Sequence, residues 1–217
     1  NLVEDNKLNK PKVAIIDYKM SNLFSIKNSF DVLGLDSVIT SNPETISSCD
    51  GAILPGVGAF PEAMTQLDHL DLSETIKEFI KTGKPFMGIC LGMQILFDKS
   101  EEFFSTKGLG IIKGEVKSFK NQDTVKTTPH VGWNSIHLHH ENSENRFDFS
   151  NTLENENFYY FVHSFYVEPN EENCIKTYTT HEGFEFCSSI SYENIFATQF
   201  HPEKSGKMGL EIFTRIF

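Results

Sequence analysis

Nowhere in the 217 residues do apolar side chains run on for anything near eighteen positions, so the sequence offers no helical membrane span. It has no basic excess: 30 Asp and Glu outweigh 19 Lys and Arg, for a formal charge of −11. A phosphate-binding surface needs clustered cations, so nucleic acid is not an expected partner, and the acidic balance reads as solubility. Cysteines are few and scattered. Cys49, Cys90, Cys174 and Cys187 form no C-x-x-C pair, which removes the usual zinc spacing, and a chain of this length needs no disulfide staples. Reduced thiols and a cytoplasmic protein are expected. His137, His139 and His140 lie close together without a cysteine or carboxylate at ligand spacing. They read as a solvated strand end, and neither a metal nor a cofactor is assigned. Residues 1–10 lack the apolar segment of a signal peptide and read as a loose leader, leaving 11–217 as a single domain.

What is present is a large apolar complement, 39% of residues with 20 Phe, enough for a sizeable packed core. The first half alternates strand and helix. Short apolar runs at 12–18, 37–40, 51–55 and 85–89 read as buried strands. Between them, Ser21-Asn22 caps a helix that carries Leu23, Ile26, Phe30 and Leu33 on one face and stops at Gly34. Asn42-Pro43-Glu44 opens a short helix, and two more span 61–67 and 72–82. Such alternation implies right-handed βαβ units: an α/β fold with a mixed, largely parallel central sheet and helices on both faces. Sheets of this kind place chemistry at the C-terminal strand ends, so 17–22, 55–60 and 88–94 should share one edge. From Leu109 the pattern changes to smaller antiparallel strands at 111–116, 131–136, 158–166, 174–180, 186–190 and 195–200. A polar excursion fills 141–157, and a closing helix covers 210–217.

The stretch 84–94 reads as a buried strand, a sharp turn and a helix, with Gly88 and Gly92 placed two residues either side of Cys90. A Cβ at either flank of such a turn would meet neighbouring backbone, so the outline is a nucleophile elbow with Cys in place of Ser. A helix beginning at Leu91 would direct its N–H groups at the sulfur and favour thiolate. A buried structural cysteine fits the same stretch. The decision comes from His201-Pro202-Glu203, where a strand ends in histidine and a carboxylate follows across a proline-fixed turn. Glu203 would orient the His201 imidazole, and His201 would serve Cys90 as base.

These motifs, with Pro55-Gly56-Val57-Gly58-Ala59-Phe60, Pro129-His130-Val131-Gly132-Trp133-Asn134 and Tyr160-Phe161-Val162-His163-Ser164-Phe165, resemble the class I glutamine amidotransferases. More narrowly, they are similar to the HisH family of imidazole glycerol phosphate synthase glutaminase subunits, from about residue 12 to the end. The resemblance implies a flavodoxin-like domain over 11–217. It implies hydrolysis of L-glutamine to glutamate and ammonia through Cys90, His201 and Glu203. It implies an oxyanion hole from the Leu91 N–H and the Gly56-Val57-Gly58 loop, whose glycines allow a peptide flip, so that Val57 or Gly58 supplies the second donor. Gly56, Gln94, His163 and Ser164 match positions that hold glutamine. On the residues alone, Gln94 reads equally as an ordinary helix residue and His163 as a satisfied strand histidine. Asn22, Trp133 and Lys204 match positions facing a HisF-like (β/α)8 synthase subunit, the implied heterodimer partner and ammonia acceptor. A lone tryptophan also reads as a core anchor. The first loop departs from the family form, with Lys19 and Ser21 where glycine is usual. Histidine biosynthesis is the leading pathway. A paralogue that aminates a sugar nucleotide, and a different cysteine hydrolase on the same scaffold, remain open.

Overall fold

Four apolar runs without polar alternation become the parallel strands β1 (Lys12–Ile16), β2 (Asp36–Thr40), β3 (Gly51–Leu54) and β4 (Phe86–Ile89) in the computed structural model, which describes residues 10–139 and 153–217. Every residue of β3 and β4 is buried, as expected of strands covered on both faces. The leader through residue 9, His140 and the excursion through residue 152 lie outside the described residues. The connecting helices are α1 (Leu23–Leu33), α2 (Pro43–Ser48), α3 (Phe60–His69) and α4 (Leu72–Lys81). Local chemistry sets their ends. Asn22 Oδ1 accepts from the Phe24 N–H, Asn42 Oδ1 accepts from the Glu44 and Thr45 N–H groups, and Gly34 ends α1 at φ 70°.

The second half contributes α5 (Leu91–Gln94), β5 (Phe97–Ser100), β6 (Thr106–Lys107), β7 (Ile112–Ser118), β8 (His130–Ser135) and β9 (His137–Leu138). It continues with β10 (Phe158–His163), β11 (Phe165–Pro169), β12 (Ile175–His181), β13 (Phe184–Tyr192), β14 (Ile195–Thr198) and α6 (Gly206–Ile216). The main sheet runs β2-β1-β3-β4-β14-β13-β11-β7-β5-β6, with β12 paired to β13 off this path and β9 paired to β12. Strands β2 to β14 along this order are parallel, and the pairings from β14 through β7 are antiparallel. Alternate residues of β1 enter two cores. Ala14 and Ile16 pack with Ile46, Ala63, Leu67 and Phe79. Val13 and Ile15 pack with Ile26, Phe30, Ile212 and Phe213. The result is a sheet between α2–α4 on one face and α1 with α6 on the other. Among the described residues no helix is long and apolar enough to cross a membrane.

Three expectations are corrected. The strand expected over 158–166 breaks at Ser164: β10 pairs with β8 in a separate two-stranded ribbon, while β11 joins the main sheet. The closing helix starts at Gly206, earlier than expected: its first turn carries two glycines and only Met208 as a large apolar side chain, so the clearer apolar stripe, Ile212, Phe213 and Ile216, lies in the later turns. The helix after Cys90 is a single turn, so the field that a longer helix would add at the sulfur is small.

Candidate active site

Cys90 follows β4 directly, at φ 55° and ψ −112°, a backbone region that non-glycine residues rarely occupy. The turn is this tight because Gly92 lies against Leu54: a Cβ there would overlap the Leu54 carbonyl oxygen. The Cys90 N–H is tied to the Thr198 carbonyl at 2.7 Å, and Gln199 Nε2 donates to Sγ at 3.4 Å. β4 and β14 are parallel neighbours with Ile89 opposite Thr198, so the residues after each emerge at one edge. Those residues are Cys90 and His201. The single turn Pro202–Lys204 then curls Glu203 back, and its Oε1 meets His201 Nδ1 at 2.7 Å with both side chains buried. Burial opposes charge on the His201 ring, but the Cys90 sulfur and the Glu203 carboxylate more than offset it and raise the imidazole to about 10. His201 Nε2 makes no hydrogen bond of ordinary geometry, leaving Cys90 as the group that acts on that side of the ring.

A cavity of about 180 Å³ opens beside Cys90, small enough to suit a polar metabolite. Val57, Gly58, Leu91, Gln94 and Ser164 line it, so the structure gathers these expected site residues around the sulfur. Gln94 is buried, and its Nε2 donates to the Phe165 carbonyl at 3.2 Å and to Gln199 Oε1 at 3.0 Å, leaving its amide oxygen for the cavity. His163 also reaches the cavity wall, but its ring is committed elsewhere. Nδ1 donates to the Phe165 carbonyl at 2.8 Å, which makes Nε2 the acceptor for His130 Nδ1 at 2.9 Å. Burial is the main reason that His163 is pushed down to about 3 and His130 to about 4, so both rings are neutral. One lining residue had no motif to mark it. Glu102 enters the cavity from the loop after β5, and its Oε2 accepts from the Phe60 N–H at 2.9 Å. Burial raises its carboxyl above the usual range, against the lowering effect of that bond. A lone Glu-Glu pair in a polar loop carries no signal of this; the twelve-residue spacing from Cys90 becomes meaningful only once β5 is placed.

The loop facing Cys90 is turned the other way from an oxyanion hole. Its Gly56–Val57 peptide presents the carbonyl to the Leu91 N–H at 3.3 Å and the Val57 N–H to the Met20 carbonyl at 2.7 Å. The Leu91 and Val57 N–H groups are therefore spent on the protein itself, the first on the Gly56 carbonyl and the second on the Met20 carbonyl, while Gly58 lines the cavity. Gly56 leaves no room for a Cβ beside the Tyr18 hydroxyl, which donates to the Pro55 carbonyl at 2.5 Å. Asn22, Trp133 and Lys204 lie outside the cavity and are exposed. Trp133, at 56% exposure, is no core anchor; it stands edge-on to Tyr160 on the outer face of the β8–β10 ribbon. Among the described residues no group of three metal-ligating side chains occurs.

A cysteine on a strained strand-to-helix turn, with histidine and glutamate delivered by the neighbouring parallel strand, has the arrangement of a nucleophile, base and acid on an α/β sheet. The profile of the class-I glutamine amidotransferases matches residues 14–217, and the chain belongs to that family. It is 47% identical over 200 residues to the imidazole glycerol phosphate synthase subunit HisH of Methanocaldococcus jannaschii, covering 92% of this chain and 95% of that one. It is 43% identical over 204 residues to subunit HisH 1 of Methanococcus maripaludis, covering 92% and 96%. Among solved structures, PurLQS from Thermotoga maritima shares the fold, with a TM-score of 0.70 at 19% identity over 96% of this chain and 98% of that one.

Proposed function

We propose that this chain is the glutaminase subunit of an imidazole glycerol phosphate synthase, acting in the cytoplasm on L-glutamine and delivering ammonia to a docked HisF-like (β/α)8 subunit. The observation that carries it is the His201–Glu203 pair and Cys90 meeting beside a small cavity, in a chain 43–47% identical to HisH subunits over nearly their full length. In the cavity, the Glu102 carboxylate and the Gln94 amide oxygen suit the ammonium of glutamine, and Ser164 lies beside them. Cys90 thiolate attacks the side-chain amide carbon. The tetrahedral intermediate collapses as His201 imidazolium gives its proton to the departing nitrogen, releasing ammonia and leaving a thioester. Neutral His201 then takes a proton from water, whose oxygen attacks the thioester. Glutamate leaves, and the thiolate–imidazolium pair is restored.

The oxyanion formed in each step needs two N–H donors. A rotation of the Gly56–Val57 peptide would withdraw the Gly56 carbonyl from the Leu91 N–H and bring the Val57 N–H beside it. Ammonia in bulk water at neutral pH is mostly ammonium and no nucleophile, so it needs a covered exit. The Cys90 sulfur lies 3.9 Å from the Val162 carbonyl of β10. On the outer face of that ribbon, Val131, Trp133 and Phe158 are 55%, 56% and 59% exposed, an apolar surface suited to the barrel subunit. Asn22 and Lys204 extend the proposed interface.

A second reading, in which the barrel partner aminates a sugar nucleotide, rests on one observation. Lys19, a non-glycine residue, holds φ 66° in the loop whose Met20 carbonyl holds Val57. The test is glutamine hydrolysis with candidate barrel subunits and acceptor ligands. The chain alone should be slow and should be stimulated by an imidazole glycerol phosphate-forming barrel with its acceptor. Cys90→Ala should lower the stimulated rate by at least about 10⁴-fold. Stimulation only by a sugar-nucleotide barrel selects the second reading, and full activity without any partner overturns both.

A further inference from the structure

Between α1 and α6 lies a second cavity, of about 280 Å³, that shares no lining residue with the first. Glu203 forms part of its wall, with Ser25, Asn28, Ser29, Val32 and Leu210. The Glu203 side chain is only 6% exposed, and while Oε1 takes the bond from His201, Oε2 makes no hydrogen bond with the protein. A carboxylate oxygen buried to this degree is costly without a donor, and the wall that Glu203 shares with α1 is where uncommitted donors occur. Ser29 is already committed, its hydroxyl donating to the Ser25 carbonyl at 2.7 Å. Val32 and Leu210 have nothing to give. The free side-chain donors of the wall are the Asn28 amide and the Ser25 hydroxyl.

No cation lines this cavity. Lys27 on α1 is paired with Asp31 at 2.8 Å, and Lys204, Lys207, Glu211 and Arg215 are outside the wall. Cys90 acts on the His201 ring from the other side, and His163, lowered in part by His201, is neutral. A neutral donor set matters here. It would satisfy the second carboxylate oxygen without cancelling the charge, so the field of Glu203 would stay on His201. We propose that Asn28 is a positioning residue: through water held in this cavity it donates to Glu203 Oε2 and so keeps Oε1 against His201 Nδ1. A water needs roughly 30 Å³, so the space is ample.

The proposal rests on the triad reading above, and the two fail differently. If Cys90→Ala still hydrolyses glutamine, the triad reading falls whatever Asn28 does. The test of Asn28 combines hydrolysis kinetics in the complex with the barrel subunit and an imidazole NMR titration of His201. Asn28→Ala should lower kcat about tenfold at unchanged KM, and Asn28→Ser, which retains a donor, should recover most of it. Asn28→Lys places a cation beside Oε2 and should move the His201 titration, and with it the alkaline limb of kcat, to lower pH by about one unit. Val32→Lys, one turn further along α1 on the same wall and exposed like Asn28, should leave both unchanged, because solvent screens a cation that does not reach Oε2. Wild-type kcat in Asn28→Ala with an unmoved titration in Asn28→Lys overturns the proposal. So does a Val32→Lys shift as large as that of Asn28→Lys.

Discussion

Cys90 stands on one wall of the cavity with His201 and Glu203 behind it, set there by strand pairing: Ile89 against Thr198, the Cys90 N–H on the Thr198 carbonyl, and Glu203 at 2.7 Å from the imidazole. On the facing wall, the Gly56–Val57 peptide is held by two backbone bonds with its carbonyl where the oxyanion donor would have to be. The first wall is continuous with the sheet and can change only if the sheet does. The second is a loop fixed by two hydrogen bonds, each worth about 0.5–1.5 kcal/mol net. Turning that peptide over therefore costs about 1–3 kcal/mol, which would lower the unstimulated rate by roughly 5- to 150-fold. A partner need supply no catalytic group. It need only favour the turned peptide by that amount, and the Met20 carbonyl, two residues from the exposed Asn22, is within a partner's reach.

The sharpest way to break this contrast is Val57→Pro, which deletes the N–H that the loop would contribute. Partner-stimulated hydrolysis should fall by about 10²–10³. Alkylation of Cys90 by iodoacetamide should proceed as in the parent, since the other wall is untouched. A stimulated rate that survives the substitution would place the second donor elsewhere.

A smaller effect probes the wall that is already built. The ribbon beside Cys90 is held from within by Asn134, His130 and His163, hydrogen-bonded in series at 3.2 and 2.9 Å, with the His181 ring stacked on His130. His130 and His163 are depressed in the folded chain, to about 4 and about 3, so they stay neutral where an unfolded histidine would be protonated. The unfolded state then binds more protons between about pH 6.5 and pH 4. Stability from this pair is complete above pH 6.5 and is lost on acidification through that window, by a few kcal/mol. His201 has the opposite sign. Raised to about 10, it contributes stability that is full below pH 6.5 and lost as pH rises toward 10. Urea midpoints at pH 7 and 5 should show the acid loss, and His130→Gln should flatten it. An equally steep acid loss in His130→Gln would move the cause outside the ribbon.

The same two halves differ in how much of them could be read from the chain. The parallel strands were legible because each is an apolar run closed by a cap or glycine, as at Asn22, Gly34 and Asn42. The meeting of Cys90 with His201 and Glu203 was legible because short-range backbone demands fix both motifs. The antiparallel half resisted. β5 and β6 are short and polar, and β11 continues straight from β10 in sequence, so only the three-dimensional path reveals that Ser164 ends one sheet and starts another. Glu102 was hidden for the same reason. His163 lines the cavity where the motif marked it, and its ring also serves the ribbon, which only long-range packing against His130 shows. The closed peptide was beyond sequence altogether, since its two bonds join residues 37 and 35 positions apart in the chain: Val57 to Met20, and Leu91 to Gly56.

The smallest expected effect is the most informative about the hinge between the two walls. Lys19 sits at φ 66°, held there by its own N–H donating to Asp17 Oδ1 at 3.1 Å, and Ser21 Oγ beside it is buried without a hydrogen bond. A lysine in this left-handed region costs about 1 kcal/mol relative to glycine. Lys19→Gly removes that strain but frees the unfolded chain by a similar amount, so the urea midpoint should hardly move. The loop equilibrium is another matter, because unfolded-state entropy does not enter it. If the strain belongs to the closed arrangement, relieving it deepens the closed state. Unstimulated hydrolysis should then fall by up to about fivefold, while the fully stimulated rate stays as it was. A rise in the unstimulated rate would mean that freedom of the loop, not strain within it, limits the turning of the Gly56–Val57 peptide, and that Lys19 stands where it does to hold the second wall shut.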